Sequence, residues 1–209
     1  MKTLDKADIN SYLDTHYLRS LSNLTVAHPK LLIVFSGGNG VGKSSLSAKI
    51  QAELQALVLE NDAIRTALLE YKPELDKDRQ LLGKLVWEYT QELYPRLESV
   101  TTNGLVVRDA VIDWYFDKIL PVFKQNKYEI FIVRFELSRE KQLELLRKRG
   151  GKAWIPLDVL EAMLDSHDAY SKRFLSMHTP DVVITDKTVF DYEPVIEALR
   201  KKLSQLQIL

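Results

Sequence analysis

The stretch from Leu31 to Ile50 constrains the fold of this chain more than any other. A short apolar run, Leu31 to Phe35, leads directly into Ser36-Gly37-Gly38-Asn39-Gly40-Val41-Gly42-Lys43-Ser44-Ser45, and apolar residues at helical spacing follow. Gly37, four residues, and then Gly42-Lys43-Ser44, placed between a strand and a helix, is the spacing of a phosphate-binding loop. The pattern therefore predicts a strand, a phosphate loop and a helix.

Each residue type in this loop has a chemical reason. Glycines let successive backbone N–H groups turn toward phosphate oxygens, where a Cβ would crowd the ligand. The helix that starts at Lys43 adds its positive dipole end, Lys43 supplies a flexible charge for the β and γ phosphates, and the Ser44 hydroxyl can ligate Mg²⁺. We therefore predict a site for a nucleoside triphosphate with Mg²⁺, formed by Gly37, Gly38, Asn39, Gly40, Val41, Gly42, Lys43, Ser44 and Ser45.

The rest of the chain alternates between apolar runs and helical patterns. Further apolar runs start at Leu57, Leu105, Ile130 and Val182, and segments with spacings of three and four residues separate them. Continuous apolar runs are typical of strands buried on both faces of a parallel sheet. The alternation predicts an α/β three-layer domain over residues 29–209, preceded by an N-terminal helical extension over residues 1–28 that packs against it.

Composition excludes several classes. The chain has 209 residues, 29 Lys and Arg against 29 Asp and Glu, and no cysteine. This length favours one globular domain, and the missing cysteine excludes disulfides, cysteine-ligated zinc and thiol catalysis. The balanced charge disfavours a long electrostatic track along nucleic acid. The N-terminus does not resemble a signal peptide and no apolar run is long enough to span a bilayer, so we expect a cytoplasmic protein without a membrane partner.

Two kinds of nucleotide hydrolase are disfavoured by missing elements. A GTPase switch needs Asp-x-x-Gly, which does not occur here, and the string Asn126-Lys127-Tyr128-Glu129 departs from the guanine motif and precedes a strand. A motor ATPase usually places Asp-Glu at a strand end, whereas Asp109 is followed by Ala110. Because no residue is evident that would activate water, the sequence favours transfer of the phosphoryl group to another acceptor.

Asp62 and Arg65 follow the second predicted strand. An Asp just past a strand end lies at the carboxyl edge of the sheet, where open α/β folds bind ligands, and Arg65 falls on the same helical face. Such a pair suits phosphoryl transfer, with the carboxylate taking the acceptor proton and the guanidinium holding an anionic part of the acceptor. The alternative is a helix cap and a surface ion pair, and the nearby phosphate loop favours the functional interpretation.

A basic run, Arg147-Lys148-Arg149-Gly150-Gly151-Lys152, lies between two helical patterns. Closing such a segment over a triphosphate would neutralise charge in the transition state and exclude water. The alternative is a solvated basic turn. In a chain with a phosphate loop, the run predicts a lid at about 145–156.

Three stretches of this sequence resemble the kinase domain of phage-type polynucleotide 5'-hydroxyl kinases, within the small phosphate-loop kinases shaped like adenylate kinase. They are the loop from Gly37 to Ser45, the Asp-x-x-Arg element at Asp62 to Arg65, and the segment from Lys148 to Leu160. The resemblance covers roughly residues 31–190. It implies a five-stranded parallel sheet in the order 2-3-1-4-5, with ATP as the donor.

The resemblance also implies residue roles. Asp62 would be the general base, Lys43 and Arg149 would stabilise the donor phosphates, and Arg65 would contact acceptor phosphate. Asp109 matches the Asp that ends the third strand in the family, but its two polar companions are replaced by Ala110 and Val111. A second family Arg corresponds to Leu145, and Arg147 is the nearby substitute. Cofactor contacts from Arg147 and Arg149, and acceptor contacts from Asp62, Arg65 and Asp109, follow as expectations.

One helical face after the predicted lid carries Met163, His167 and Tyr170. Core packing is the ordinary interpretation of Met163 and Tyr170, and we expect His167 to be a partly exposed helix residue.

The sequence therefore predicts an ATP- and Mg²⁺-dependent kinase with a hydroxyl acceptor. A nucleotide or polynucleotide 5'-hydroxyl comes first on the resemblance. A small metabolite, an antibiotic or an amino sugar, as in the zeta-toxin kinases, is an open alternative. A regulatory module that binds a nucleotide without transferring phosphate is the alternative from another class.

Overall fold

The computed structural model describes residues 5–21, 26–97, 103–149 and 157–207. Among these residues, five parallel strands form one sheet in the order β2-β3-β1-β4-β5, as predicted. The strands are β1 (Leu31–Ser36), β2 (Leu57–Glu60), β3 (Leu105–Val111), β4 (Glu129–Glu136) and β5 (Val182–Thr185).

Helices cover both faces of the sheet. They are α1 (Lys6–Leu13), α2 (Lys43–Leu54), α3 (Asn61–Tyr71), α4 (Arg79–Leu93), α5 (Phe116–Gln125), α6 (Arg139–Arg149), α7 (Leu157–Leu175) and α8 (Glu193–Gln207). Short 3₁₀ turns cover Pro73–Lys77, Tyr94–Arg96 and Ile112–Trp114. None of the helices in the described ranges is both long enough and apolar enough to cross a membrane.

Alternation along β1 divides the core into two layers. Leu32 and Val34 pack on one face with α1, α3, α4 and α5, whereas Leu31, Ile33 and Phe35 pack on the other with α2 and α8. Successive side chains of a strand point to opposite faces, and all six residues of β1 are buried because both faces are covered. A small separate cluster joins α6 and α7. This is the predicted three-layer arrangement.

The N-terminal helix belongs to the first of these core layers. Helix α1 continues through a π-helical stretch, Asp14–Leu18, into a last turn, Arg19–Leu21. Leu13 and Tyr17 are buried in the same cluster as α3 and α4. Asp14 accepts hydrogen bonds from Arg96 at 2.8 Å and from the Tyr89 hydroxyl at 3.0 Å. The segment predicted as an extension therefore packs directly against the sheet layer that carries Asp62.

Strand β3 is longer than its apolar run. Its pairing with β1 shifts between Val34, which pairs with Arg108, and Phe35, which pairs with Val111. The bulge keeps Asp109 and Ala110 inside the strand and delays the strand end to Val111. The 3₁₀ turn Ile112–Trp114 follows, and the next helix begins only at Phe116. Asp113, which follows the strand, accepts a hydrogen bond from the Gly37 amide at the start of the phosphate loop, whereas Asp109 lines the cleft beside the loop.

Candidate functional site

The phosphate loop joins the carboxyl end of β1 to the first residue of α2. Gly37 has φ of +136°, and a Cβ there would lie 2.8 Å from Cβ of Phe135. Gly42 has φ of +101° and precedes α2, and a Cβ there would lie 2.6 Å from the Tyr192 hydroxyl. Both a left-handed backbone and close packing therefore require glycine at these two positions. The loop is held against β4 on one side and the segment before α8 on the other.

Lys43 is turned into this loop. Its ammonium donates a hydrogen bond to the Gly37 carbonyl at 3.1 Å and another to the Gly38 carbonyl, and the residue is 8% exposed. A buried ammonium needs oxygen partners, and the loop carbonyls provide them here. Phosphate oxygens in the loop would offer the same ammonium a stronger, charged set of acceptors.

The loop opens into a cleft of about 670 Å³ between the sheet edge, α3, α6 and α7. Residues of both predicted subsites line it: Asn39, Gly40, Gly42, Lys43, Ser44, Ser45, Asp62, Arg65 and Asp109. Val41 packs its side chain into the second core layer and contributes only its place in the loop. One cleft thus joins the predicted nucleotide and acceptor sides.

Asp62 and Arg65 form the ion pair that their spacing predicts. Arg65 Nη1 lies 2.6 Å from Asp62 Oδ1 in the first turn of α3. The Asp62 side chain is 43% exposed and that of Arg65 is 15% exposed. Asp62 is not the N-cap of α3, because that position is Glu60. The carboxylate is therefore accessible from the cleft, while the guanidinium is held largely beneath the surface.

The basic run reaches the cleft through Lys148. Lys148 lines the cleft at the end of α6, whereas Arg147 Nε donates to Glu161 Oε1 at 3.1 Å on the outer side. Arg147 is 62% exposed. Adjacent residues of a helix point about 100° apart, so only one of the two can face the cleft. The Arg149 side chain and residues 150–156 of the predicted lid lie outside the described residues.

Asp113 organises the back of the phosphate loop, a role that no pattern in the sequence indicates. Its carboxylate accepts hydrogen bonds from the Ser36 hydroxyl at 2.7 Å and from the Gly37 amide at 3.0 Å. Arg134 Nη1 lies 3.7 Å from the carboxylate and donates to the Ser36 hydroxyl at 2.9 Å. Nε2 of His167 lies 3.3 Å from the other carboxylate oxygen. Four side chains from β1, β4, α7 and the 3₁₀ turn thus meet behind the first loop glycine.

The surroundings of Asp113 keep it charged. Burial alone would raise its pKa, but the approach of His167 and the hydrogen bonds from Ser36 and the Gly37 amide outweigh burial, so the pKa lies below its ordinary value. The carboxylate can therefore hold the Gly37 amide by a charge-assisted bond.

His167 and Tyr170 differ from the sequence-based expectation. His167 is buried at 4% exposure and stands edge-on to Trp114, whereas we expected it to be partly exposed. Tyr170 is 45% exposed, which corrects the core interpretation. Met163 lines the cleft. The face of α7 that turns inward is therefore rotated from the one that hydrophobicity alone indicates.

Arg108 supports, from below, the side of the cleft that carries Asp62. It is 1% exposed and donates to the Tyr94 hydroxyl at 2.7 Å, to the Leu59 carbonyl at 2.8 Å and to the Asn61 side chain. Asn61 begins α3 and immediately precedes Asp62. Arg108 thus fixes the end of β2 and the start of α3, and so the position of Asp62.

The cleft suits Mg²⁺ brought in with phosphate. The Ser44 hydroxyl and the carboxylates of Asp62 and Asp109 line the same space. Within the described ranges, no three His, Asp or Glu side chains form a preassembled metal site. Mg²⁺ is usually held by one or two protein ligands together with phosphates and water, so a hydroxyl beside a phosphate loop fits it.

Solved structures with this fold include enzymes and a toxin–antitoxin component. A chain from the PezAT chromosomal toxin–antitoxin system of Streptococcus pneumoniae matches with a TM-score of 0.65 and 17% identity, over 95% of this chain and 96% of that one. A putative kinase from Chloroflexus aurantiacus matches with a TM-score of 0.58 and 14% identity, over 85% and 98%. Shikimate kinase from Bacteroides thetaiotaomicron matches with a TM-score of 0.52 and 12% identity, over 85% and 98%.

These likenesses confirm the predicted three-layer phosphate-loop fold with its five-stranded parallel sheet. No curated protein sequence matches the chain significantly. A family model described as an AAA domain matches residues 32–170, which include the phosphate loop, the Asp62 and Arg65 pair and most of α7. The chain therefore belongs to this AAA domain family.

Proposed function

We propose that this protein is a kinase that transfers the γ-phosphoryl group of ATP to a hydroxyl group of an acceptor. The observation that carries the proposal is the shared cleft, in which Lys43 and Ser44 lie at one end and Asp62 with Arg65 at the other. A phosphate loop and a carboxylate facing one space are what in-line phosphoryl transfer requires. The strand residue after Asp109 is Ala110, so the third strand offers no second carboxylate to activate water.

Each residue has a defined task in this reaction. Lys43 leaves the Gly37 and Gly38 carbonyls for the β and γ phosphates, and loop amides bind the remaining oxygens. Asp62 accepts the proton of the acceptor hydroxyl as its oxygen forms a bond to the γ phosphorus. The bond from that phosphorus to the bridging oxygen breaks, and ADP leaves with the electron pair. Asp62 then releases its proton to solvent.

Mg²⁺ would be held by the Ser44 hydroxyl, with phosphate oxygens and water, and would neutralise charge on the transferred group. By the resemblance, Arg149 is assigned to the donor phosphates. On the same helix, the side chain of Lys148 lines the cleft. Arg65 holds an anionic part of the acceptor, and Asp109 adds a hydrogen-bond acceptor on the floor.

The acceptor side favours a small ring-bearing molecule. Trp114 and Tyr115 line it, and Tyr115 packs on Trp87 with ring centroids 4.8 Å apart, so its ring is held in place. Sugar and base rings stack on such faces. A nucleoside or short oligonucleotide 5'-hydroxyl and an amino sugar both match this chemistry.

The test is a transfer assay with [γ-³²P]ATP against 5'-hydroxyl oligonucleotides, nucleosides and amino sugars. We expect label on one class of acceptor and little release of phosphate when no acceptor is present. Asp62→Asn should lose turnover and retain ATP affinity. Fast hydrolysis without acceptor would favour an ATPase, and ATP binding without transfer to any acceptor would favour the regulatory module.

A further inference from the structure

The inner face of α7 covers the phosphate loop at three successive points. A Cβ on Gly38 would lie 2.8 Å from Cδ2 of Leu164 and 3.9 Å from Nδ1 of His167. The Asn39 side-chain nitrogen lies 3.9 Å from the Met163 sulfur. These residues of α7 are spaced by one and by three positions, so one turn of the helix rests on two loop residues.

The same helix forms a wall of the acceptor cleft. Leu160 and Met163 line the cleft, and Leu160 and Leu164 join the small cluster that attaches α7 to α6. A displacement of α7 therefore changes the cleft wall and the cover over the loop together. Helix α7 therefore borders both the phosphate loop and the wall of the cleft.

His167 is the polar contact between this helix and the loop. Its Nε2 lies 3.3 Å from Asp113, whose carboxylate also accepts hydrogen bonds from the Ser36 hydroxyl and the Gly37 amide and lies 3.7 Å from Nη1 of Arg134. At this distance the two groups attract each other, yet Nε2 is buried without an aligned hydrogen-bond partner among the described residues. The Ser171 hydroxyl one turn further along α7 and Nε of Arg134 are in the same situation.

Buried polar atoms without an aligned partner are rare, and two of these, on His167 and Arg134, belong to side chains that flank the Asp113 carboxylate. A small shift of α7 would align the imidazole with the carboxylate. Arg134 cannot move in the same way, because it is anchored in β4 and its guanidinium already donates a hydrogen bond to Ser36.

We propose that His167 is a positioning residue that couples α7 to the phosphate loop through Asp113, so that occupation of the loop by a triphosphate fixes the wall of the acceptor cleft. The inference rests on the proposed binding of a triphosphate at this loop. Phosphate that draws the loop amides toward itself moves the Gly37 amide, and with it the carboxylate that His167 faces. By reciprocity, fixing α7 also favours the loop conformation that binds phosphate.

Hydrogen exchange on the full chain tests this coupling, with the non-hydrolysable analogue AMPPNP and Mg²⁺ as the probe. In the wild type, the analogue should slow exchange about tenfold both in the phosphate loop and in α7 around residues 164–171. His167→Leu should keep the protection of the loop and lose that of α7. His167→Gln, whose amide nitrogen reaches the position of Nε2, should restore it.

Two further variants keep the test decisive. If His167→Leu does not fold, His167→Asn replaces it, because its shorter amide stays polar but does not reach Asp113. Tyr170→Ala, an exposed neighbour on the same helix, should behave as the wild type. Equal protection of α7 in the wild type and in His167→Leu or His167→Asn would overturn the coupling alone. No protection of the loop in the wild type would overturn the proposed function together with the coupling.

Discussion

The two ends of the cleft, which we propose bind the nucleotide and the acceptor, are built in opposite ways. The nucleotide end is one contiguous stretch, Gly37 to Ser45, whose shape follows from its own glycines and from the start of α2. The acceptor end gathers residues from α3, β3 and the 3₁₀ turn, and its Asp62 is 43% exposed whereas Lys43 is 8% exposed. The first region is determined locally, and the second depends on how distant elements pack.

This difference explains how one fold can serve several acceptors. Phosphate binding needs backbone amides in a fixed curve, which leaves little freedom in sequence. Acceptor binding uses side chains at the carboxyl edge of the sheet, where they can change without altering the strands. Substitutions at the two ends should therefore change different kinetic parameters.

Lys43→Met should give the largest effect. Removing the charge that stabilises the transferred phosphoryl group should reduce kcat/KM by about 10²–10³-fold, since a single preorganised donor at a transition state contributes this much. Steady-state phosphoryl transfer measures it. Lys49→Met is the matched control, because Lys49 lies on the same helix and pairs with Glu53 at the surface. A loss in Lys49→Met as large as in Lys43→Met would contradict a specific role for Lys43.

Much of the phosphate loop could be predicted because its residues are contiguous in the sequence. Loop spacing, the glycines and Lys43 appear in one run of ten residues, and the strand order follows from the resemblance. The pairing of Asp62 with Arg65 follows from helical geometry, because residues three apart share a face.

Asp113 could not be predicted for a physical reason. Asp113 lies within the apolar pattern Ile112, Tyr115 and Ile119, which predicts one helix. In the structure, β3 has a bulge against β1, and the segment that follows forms a 3₁₀ turn behind the loop. The burial of Arg108 likewise depends on Tyr94 and Asn61, which the chain brings together only in the folded state. Long-range polar contacts leave no periodicity in the sequence.

Arg65→Met sharpens the description of the acceptor end. We expect the KM for the acceptor to rise roughly tenfold or more, with a smaller fall in kcat, because a charged hydrogen bond to the acceptor is lost. Arg79→Met, an exposed arginine at the start of α4, is the control. A fall in kcat with an unchanged acceptor KM would mean that Arg65 only orients Asp62, and would remove its assignment to the acceptor.

Asp113→Asn tests whether the hidden carboxylate supports the nucleotide end. Its pKa lies below the ordinary value in the folded chain, so the charge stabilises the fold above the unfolded-state pKa and this contribution is lost as pH falls through the folded-state pKa. Urea unfolding should show the variant about 2 kcal/mol less stable at neutral pH, as for the loss of a buried charged hydrogen bond. The difference in free energy of unfolding between the wild type and the variant should narrow below about pH 4.

The surface pair of Asp117 and Arg173 supplies the comparison for that experiment. Their side chains are 3.3 Å apart and both are exposed, so Asp117→Asn should cost less than about 1 kcal/mol. If the difference in free energy of unfolding between the wild type and Asp113→Asn stays constant down to pH 2, the shape of the side chain and not its charge holds the loop.

Lys148→Ala and Arg147→Ala give the smallest expected effects and separate the two cations of α6. Lys148 lines the cleft, so its loss should raise the KM for ATP by about threefold to fivefold, and the effect should shrink with added salt because exposed charges are screened. Arg147 points to Glu161 on the outer side, so its removal should leave the KM for ATP within twofold of the wild type.

The two residues are adjacent on the helix, which makes each variant the control for the other. A larger effect from Arg147 than from Lys148 would mean that the end of α6 rotates toward the nucleotide when ATP binds.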